Sequence, residues 1–183
     1  MDNPTTLLVA IMFVTIVVTG VVTILMCLSE WVAGHQKIAP LQISWLLFLL
    51  LTHLNYFWNT TLLLEVEGWT FLAFIGFIAG PIVLLFATNM ITVVAPEESG
   101  TSDVGRHYFE LSRRFFLLLF LVQAWLVGID YSFGSVTYST YLAGLTGLVF
   151  LALILTKSVR AHAVGAFIVW VALIIQGIQQ SLG

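Results

Sequence analysis

The chain has 183 residues, of which 60% are hydrophobic and 8% are charged, whereas ordinary soluble domains have about 45–50% and about 25%. This composition excludes a soluble globular domain, and the formal net charge of −3 excludes the basic surface that nucleic acid requires. The single cysteine, Cys27, excludes an intrachain disulfide and a multi-cysteine metal site. The high hydrophobic fraction and the low charged fraction together predict an integral membrane protein.

Charged residues divide the chain into long apolar runs. A helix needs about 20 apolar residues to cross the hydrocarbon layer of about 30 Å. Five charge-free runs meet this length, and a sixth span uses residues 115–129 with the residues that flank them. The sequence therefore predicts an all-α polytopic transmembrane bundle, one domain over 1–183 with short loops. Its six helices are expected over about 6–30, 41–64, 69–94, 104–130, 136–156 and 161–181.

The first predicted helix carries a stripe of small side chains. Thr15, Thr19, Thr23 and Cys27 recur every four residues, which favours close approach of another helix. The span is too long for a signal peptide and has no basic leader, so we expect it to remain in the mature protein.

The second predicted helix has a polar face within an otherwise apolar span. At 100° per residue, its polar side chains share one face, and the opposite face carries large apolar groups. Unsatisfied polar groups are costly in hydrocarbon, so we expect this face to turn inward. It would line a pathway or a ligand pocket, although interhelical hydrogen bonding alone would also explain it. The residues assigned to this face are Thr52, His53, Asn55, Tyr56 and Asn59.

His53 is the only ionisable residue well inside a predicted span. Its chemistry suits a proton acceptor or a polar ligand contact. The other histidines are predicted near the cytoplasmic side, so no second histidine is available at a comparable depth for haem. A metal site lacks ligands nearby in sequence, although Asp130 could approach from the outer end of helix 4. We expect no cofactor and no metal.

The third predicted helix contains Gly76 and Gly80 in a GxxxG pattern, followed by Pro81. In an apolar span this pattern indicates close helix contact, and the proline predicts a bend. Whether the contact lies within one chain or between two copies stays open.

A charge cluster is predicted at the cytoplasmic end of helix 4 and in the following cytoplasmic loop. Arginines at the ends of spans commonly extend to the headgroups, which is the simpler interpretation. The alternative is a binding site for an anionic lipid or an anionic substrate. The cluster comprises Arg106, Glu110, Arg113, Arg114, Lys157 and Arg160.

All six basic residues fall in or beside the first, third and fifth loops. Basic residues accumulate in cytoplasmic loops, so both termini are predicted to lie outside. We expect a plasma membrane location, in a bacterium the inner membrane.

The sequence carries no phosphate loop, no zinc-protease pattern and no nucleophile elbow. The leading hypothesis is a small transporter or channel for a solute or ion. A non-catalytic subunit, assembly factor or sensor of a membrane complex is the alternative, and a membrane enzyme comes third. Expected partners are the lipid bilayer, an anionic lipid, and a second copy or another membrane subunit.

Overall fold

The computed structural model describes residues 4–35, 38–61, 66, 68–93, 101–132, 134 and 136–182, without the side chains of 101–107 and 180–182. Within these ranges the chain forms six helices and no strand. The predicted all-α bundle of membrane type is confirmed. The helices are α1 (Pro4–Val32), α2 (Pro40–Trp58), α3 (Phe71–Ile91), α4 (Thr101–Ser132), α5 (Tyr138–Ile154) and α6 (Val159–Leu182).

Helix lengths distinguish α5 from the other five helices. In the described part of the chain, five helices are long and apolar enough to cross a membrane. The fifth helix, α5, is apolar but has only 17 residues. This length lies at the lower limit for a transmembrane helix, about 17–25 residues.

The second helix ends earlier than the sequence pattern suggests. Its α-helical part stops at Trp58, and residues 59–61 form a 3₁₀ turn. The hydroxyl of Thr60 donates to the carbonyl of Tyr56 at 3.1 Å, and that of Thr61 donates to the carbonyl of Trp58 at 3.4 Å. Such local bonds from threonine compete with regular helix continuation.

The six helices form a closed ring around a common interior. Neighbouring helices follow the order α1, α2, α6, α5, α4, α3 and back to α1, and α2 also contacts α3. The start of α1 and the end of α6 lie at one end of this ring, which we call the terminal end. Near the start of α1, the hydroxyl of Thr6 donates to the carbonyl of Val66 at 3.1 Å. The last residues of α1, α3 and α5 and the first residues of α2, α4 and α6 lie at the opposite end.

Large aromatic side chains fill the ring interior towards the opposite end. Trp45, Phe115, Phe116 and Phe150 are fully buried, and we call these four residues the aromatic core. The ring centroids of Trp45 and Phe116 are 5.1 Å apart, and those of Phe116 and Phe150 are 6.1 Å apart. The first pair is in edge contact and the second is stacked, and such aromatic contacts add to the burial that holds α2, α4 and α5 together.

A buried hydrogen-bond chain joins three helices beside the aromatic core. The indole Nε1 of Trp45 donates to the Tyr108 hydroxyl at 3.0 Å, and that hydroxyl lies 3.1 Å from Nδ1 of His162. The Nε2 of His162 lies 3.0 Å from the carbonyl oxygen of Thr156. A neutral imidazole with its proton on Nε2 satisfies every contact, because Nδ1 then accepts from Tyr108 and Nε2 donates to Thr156.

The GxxxG pattern of α3 makes a contact within the chain. A Cβ atom at Gly80 would overlap the indole ring of Trp125 on α4. The indole Nε1 of Trp125 donates to the carbonyl oxygen of Gly76 at 2.7 Å. Because Gly80 has no side chain, the indole ring of Trp125 can pack directly against the backbone of α3.

Of the predicted small-residue stripe of α1, Cys27 lies at the buried face of that helix and the three threonines do not. Thr15 and Thr19 are exposed, and Thr23 is half-buried. Each hydroxyl donates to the carbonyl four residues earlier, at 2.7 to 2.9 Å. The helix instead packs into the bundle through Phe13, Val17, Gly20, Ile24 and Cys27.

Candidate functional site

A cavity of about 520 Å³ lies inside the ring near the terminal end. Every helix contributes to its wall. Ligand pockets for small molecules commonly have volumes of about 300–1,000 Å³. The cavity therefore has the size of a small-molecule site, and it lies where the aromatic core gives way to smaller and more polar side chains. One lining residue from each helix, in chain order, is Phe13, Asn55, Phe77, Gln123, Thr146 and Gln176.

The polar face of α2 supplies four of the lining residues. They are Thr52, Asn55, Tyr56 and Asn59, which follow one another at helical spacing. The amide Nδ2 of Asn59 donates to Oδ1 of Asn55 at 3.1 Å, so the two amides orient each other. The exposed face of the same helix carries Leu54, Phe57 and Trp58.

His53 lies apart from these four residues, at the contact between α2 and α1. Its side chain is only 1% exposed, and it is not among the described residues that line the cavity. Nδ1 lies 2.8 Å from the carbonyl oxygen of Leu49. Nε2 has no hydrogen-bond partner among the described residues, and the ring packs against Gly20 of α1. The structure therefore places His53 beside the cavity-lining face and not within it.

A second polar wall comes from α4, α5 and α6, which the sequence patterns did not indicate as a set. Asp130, near the end of α4, is the one charged side chain among the described lining residues. Its Oδ2 accepts a hydrogen bond of 2.6 Å from the hydroxyl of Thr140 on α5. In the sequence, Asp130 could be recognised only as the acidic residue at the predicted outer end of helix 4. The other members of this wall are Gln123, Ser139, Thr146 and Gln176.

Five aromatic rings form the remaining side of the cavity. Phe77 lies at the centre of this group, with ring centroids 5.4 Å from Phe13, 5.5 Å from Trp69 and 5.9 Å from Trp125. Tyr56 joins it through Phe13 and Trp125, at 6.3 and 6.4 Å. We call these five residues the aromatic wall.

Two polar atoms of the aromatic wall have no protein partner in the described part of the chain. They are the hydroxyl oxygen of Tyr56 and the indole Nε1 of Trp69, and both atoms are buried. A buried polar group without a partner costs about 1–3 kcal/mol. Because both residues line the cavity, water or a ligand there could supply the missing partner.

The predicted charge cluster lies at the opposite end of the bundle, away from the cavity. Glu110, Arg113 and Arg114 are exposed on α4. Lys157 precedes α6 and Arg160 lies in its first turn, and both are exposed. The backbone of Arg106 belongs to α4, but its side chain lies outside the described residues. None of the cluster residues with described side chains lines the cavity.

The described lining residues offer hydrogen-bonding side chains and aromatic rings. Among them, no group of three or more His, Cys, Asp or Glu side chains could hold a metal ion. Neither protein-family models, nor curated proteins, nor solved structures give a match to this chain. The function must therefore be inferred from the cavity itself.

Proposed function

We propose that the protein is a membrane transporter for a small organic solute, which binds in the cavity at the terminal end of the bundle. The observation that carries the proposal is the cavity of about 520 Å³, which is lined by residues of all six helices. Polar walls and an aromatic wall together provide hydrogen bonds and apolar contact, a combination typical of small-molecule sites.

The aromatic core supports a transporter over a channel. Phe48 lines the cavity, and its ring lies 5.8 Å from that of Trp45 and 6.3 Å from that of Phe150. These rings fill the space that a continuous aqueous pore would need. A solute leaving towards the opposite end would therefore require helices to move, as alternating access does in transporters.

We also propose an orientation with both termini outside the cytoplasm, in the plasma membrane or bacterial inner membrane. The support is the sequence position of all six basic residues, in or beside the first, third and fifth loops. In this orientation the cavity lies in the outer half of the membrane. The proposal treats residues 1–183 as a single transmembrane domain.

Cysteine accessibility tests the transport proposal directly. The starting variant is Cys27→Ala, which removes the only cysteine. Single cysteines are then introduced at Asn59 and, two turns deeper, at Thr52. A membrane-impermeant thiol reagent is added to either side of sealed, oriented vesicles. Leu54→Cys is the matched control on the exposed face of the same helix.

A transporter predicts that Thr52→Cys reacts from both sides, because the site alternates between them. The Leu54→Cys control should resist the reagent from either side because it contacts lipid. Labelling of Thr52→Cys from the outer side alone would favour a sensor or receptor subunit and would overturn transport.

A further inference from the structure

We propose that the solute is an uncharged aromatic amide, or a compound with the same groups: a flat ring, a carbonyl oxygen and an N–H donor. The inference depends on the proposed function, since it names the substrate class of the same cavity. It follows from three features of the lining: its unpartnered donors, its hydroxyl acceptors and its charge.

The first feature is a pair of polar atoms on the aromatic wall. The hydroxyl of Tyr56 and the indole Nε1 of Trp69 are buried and have no hydrogen-bond partner in the described part of the chain, and both residues line the cavity. The indole nitrogen only donates, whereas the hydroxyl donates and accepts. A carbonyl oxygen of the solute would accept from these donors and remove the cost of burying them unpaired. The rings of the wall would cover the flat ring of the solute.

The second feature is a pair of hydroxyl oxygens among the lining residues. Thr52 donates its proton to the carbonyl of Phe48 at 2.9 Å, and Thr146 donates its proton to the carbonyl of Leu142 at 2.8 Å. A hydroxyl has one proton, so these two oxygens can only accept any further hydrogen bond. A solute must therefore supply an N–H or O–H group to bond with them.

The third feature is the charge of the lining. No lysine or arginine occurs among the described lining residues, so an anionic solute would lose its water without gaining a basic partner. Asp130 is already engaged, because its Oδ2 accepts the 2.6 Å hydrogen bond from Thr140 and the residue makes a further interaction. A cationic solute would have to compete with these contacts for the carboxylate. An uncharged solute needs neither partner.

Equilibrium binding to the purified full-length protein in detergent tests this substrate class. Three water-soluble probes have nearly the same flat shape: benzamide, benzoate and benzamidinium. Benzamide is uncharged and offers both a carbonyl oxygen and N–H donors, whereas benzoate offers only acceptors and benzamidinium only donors. We expect benzamide to bind most tightly. Tighter binding of either charged probe, or no binding of benzamide, would overturn the assignment.

Two variants test the unpartnered atoms and keep an aromatic ring at each position. Tyr56→Phe removes the hydroxyl, and Trp69→Phe removes the indole N–H. Each should weaken benzamide binding by about threefold to tenfold, as expected for the loss of one hydrogen bond. Unchanged benzamide affinity in both variants would show that these atoms do not contact the solute, and the proposal would be wrong.

Tyr141→Phe and Trp58→Phe are the matched controls, because those side chains are exposed on α5 and α2. Both should leave the benzamide affinity unchanged. Losses in the controls equal to those in the cavity variants would contradict binding in the cavity.

The stability of the probe-free protein separates a binding role of the Tyr56 hydroxyl from a structural one. Tyr56→Phe should not lower the unfolding temperature, because the hydroxyl bonds to no described residue. A lower unfolding temperature would mean that the hydroxyl has a structural partner, and the assignment would be wrong.

The outcomes also separate this inference from the transport proposal. If benzamide fails these tests but Thr52→Cys is labelled from both sides, the amide assignment is wrong and transport is still supported. If benzamide binds as expected but Thr52→Cys reacts from the outer side alone, the cavity binds an amide and transport is wrong.

Discussion

The imidazole of His53 occupies the space where a side chain at Gly20 would lie. A Cβ atom added to Gly20 would overlap the ring, which is almost completely buried between α1 and α2. The histidine therefore determines how closely these two helices approach, and the glycine is what permits that distance.

Gly20→Ala should destabilise the bundle by about 1–3 kcal/mol, because overpacking forces neighbouring side chains or helices to shift. The same substitution in a His53→Ala background should cost much less, since the ring that it would displace is gone. Unfolding of the two single variants and the double variant in detergent measures this coupling. Equal costs of Gly20→Ala in both backgrounds would contradict the contact.

The two glycines of α3 should respond differently to the same change. Gly80→Ala should destabilise the protein by about 1–3 kcal/mol because its methyl group would meet the Trp125 ring. Gly76→Ala should be neutral or stabilising by up to about 1 kcal/mol, because open space surrounds that position and alanine favours a helix. Thermal unfolding of both variants provides the comparison. The reverse order of stability would place another helix, or a second copy, against Gly76.

Tyr108→Phe should destabilise the opposite end of the bundle by about 1–3 kcal/mol. The change removes one hydroxyl and leaves both the Trp45 indole and Nδ1 of His162 without their partner. Tyr141→Phe is the control, since that side chain is 66% exposed. The measurement is the unfolding temperature in detergent. Equal unfolding temperatures for the two variants would mean that the buried hydrogen-bond chain contributes no stability.

Reporter fusions at the two termini test the proposed orientation. We expect activity from a reporter that requires the exterior, at both ends, because all six basic residues fall in or beside the first, third and fifth loops of the sequence. A cytoplasm-dependent reporter active at both ends would invert the orientation. Different answers at the two ends would contradict the even number of spans.

Replacing both Arg113 and Arg114 with leucine should weaken binding to vesicles of anionic lipid, because both side chains are exposed and basic groups attract anionic headgroups. Glu110→Gln should change stability by no more than about 1 kcal/mol, as expected for an exposed charge. Vesicle flotation at low and physiological salt measures the lipid binding. Unchanged flotation of the double variant would remove the anionic-lipid proposal.

Periodicity in the sequence predicts the elements well and their partners poorly. The apolar runs indicate six helices because each helix must satisfy its own backbone in lipid, which is a local property. The polar face of α2 follows from the same local rule. The neighbour of each helix depends instead on side-chain fit, such as Trp125 against Gly80, and no single helix encodes that fit.

The missed half of the cavity illustrates this limit. Gln123, Thr146 and Gln176 lie on three different helices. Gln123 and Thr146 are single polar residues in apolar spans, and Gln176 is the first of three glutamines near the end of the α6 sequence. No sequence pattern connects the three residues, and they become one wall only when the helices pack together. His53 shows the converse case. Helical spacing includes it in the wide polar arc of α2, but in the structure its ring packs against Gly20 of α1 and not at the cavity.

The short fifth helix has a consequence for the surrounding bilayer. At 1.5 Å per residue, the 17 residues of α5 extend about 25 Å, less than a typical hydrocarbon thickness of about 30 Å. Its outer face carries exposed leucines at positions 145, 148 and 151, so lipid chains contact it directly. Lipids beside α5 must therefore shorten or tilt, whereas those beside the 29-residue α1 need not. Hydrophobic mismatch would therefore differ around the circumference of the protein. A change in the acyl-chain length of the lipids would affect α5 first, and α5 forms one wall of the cavity.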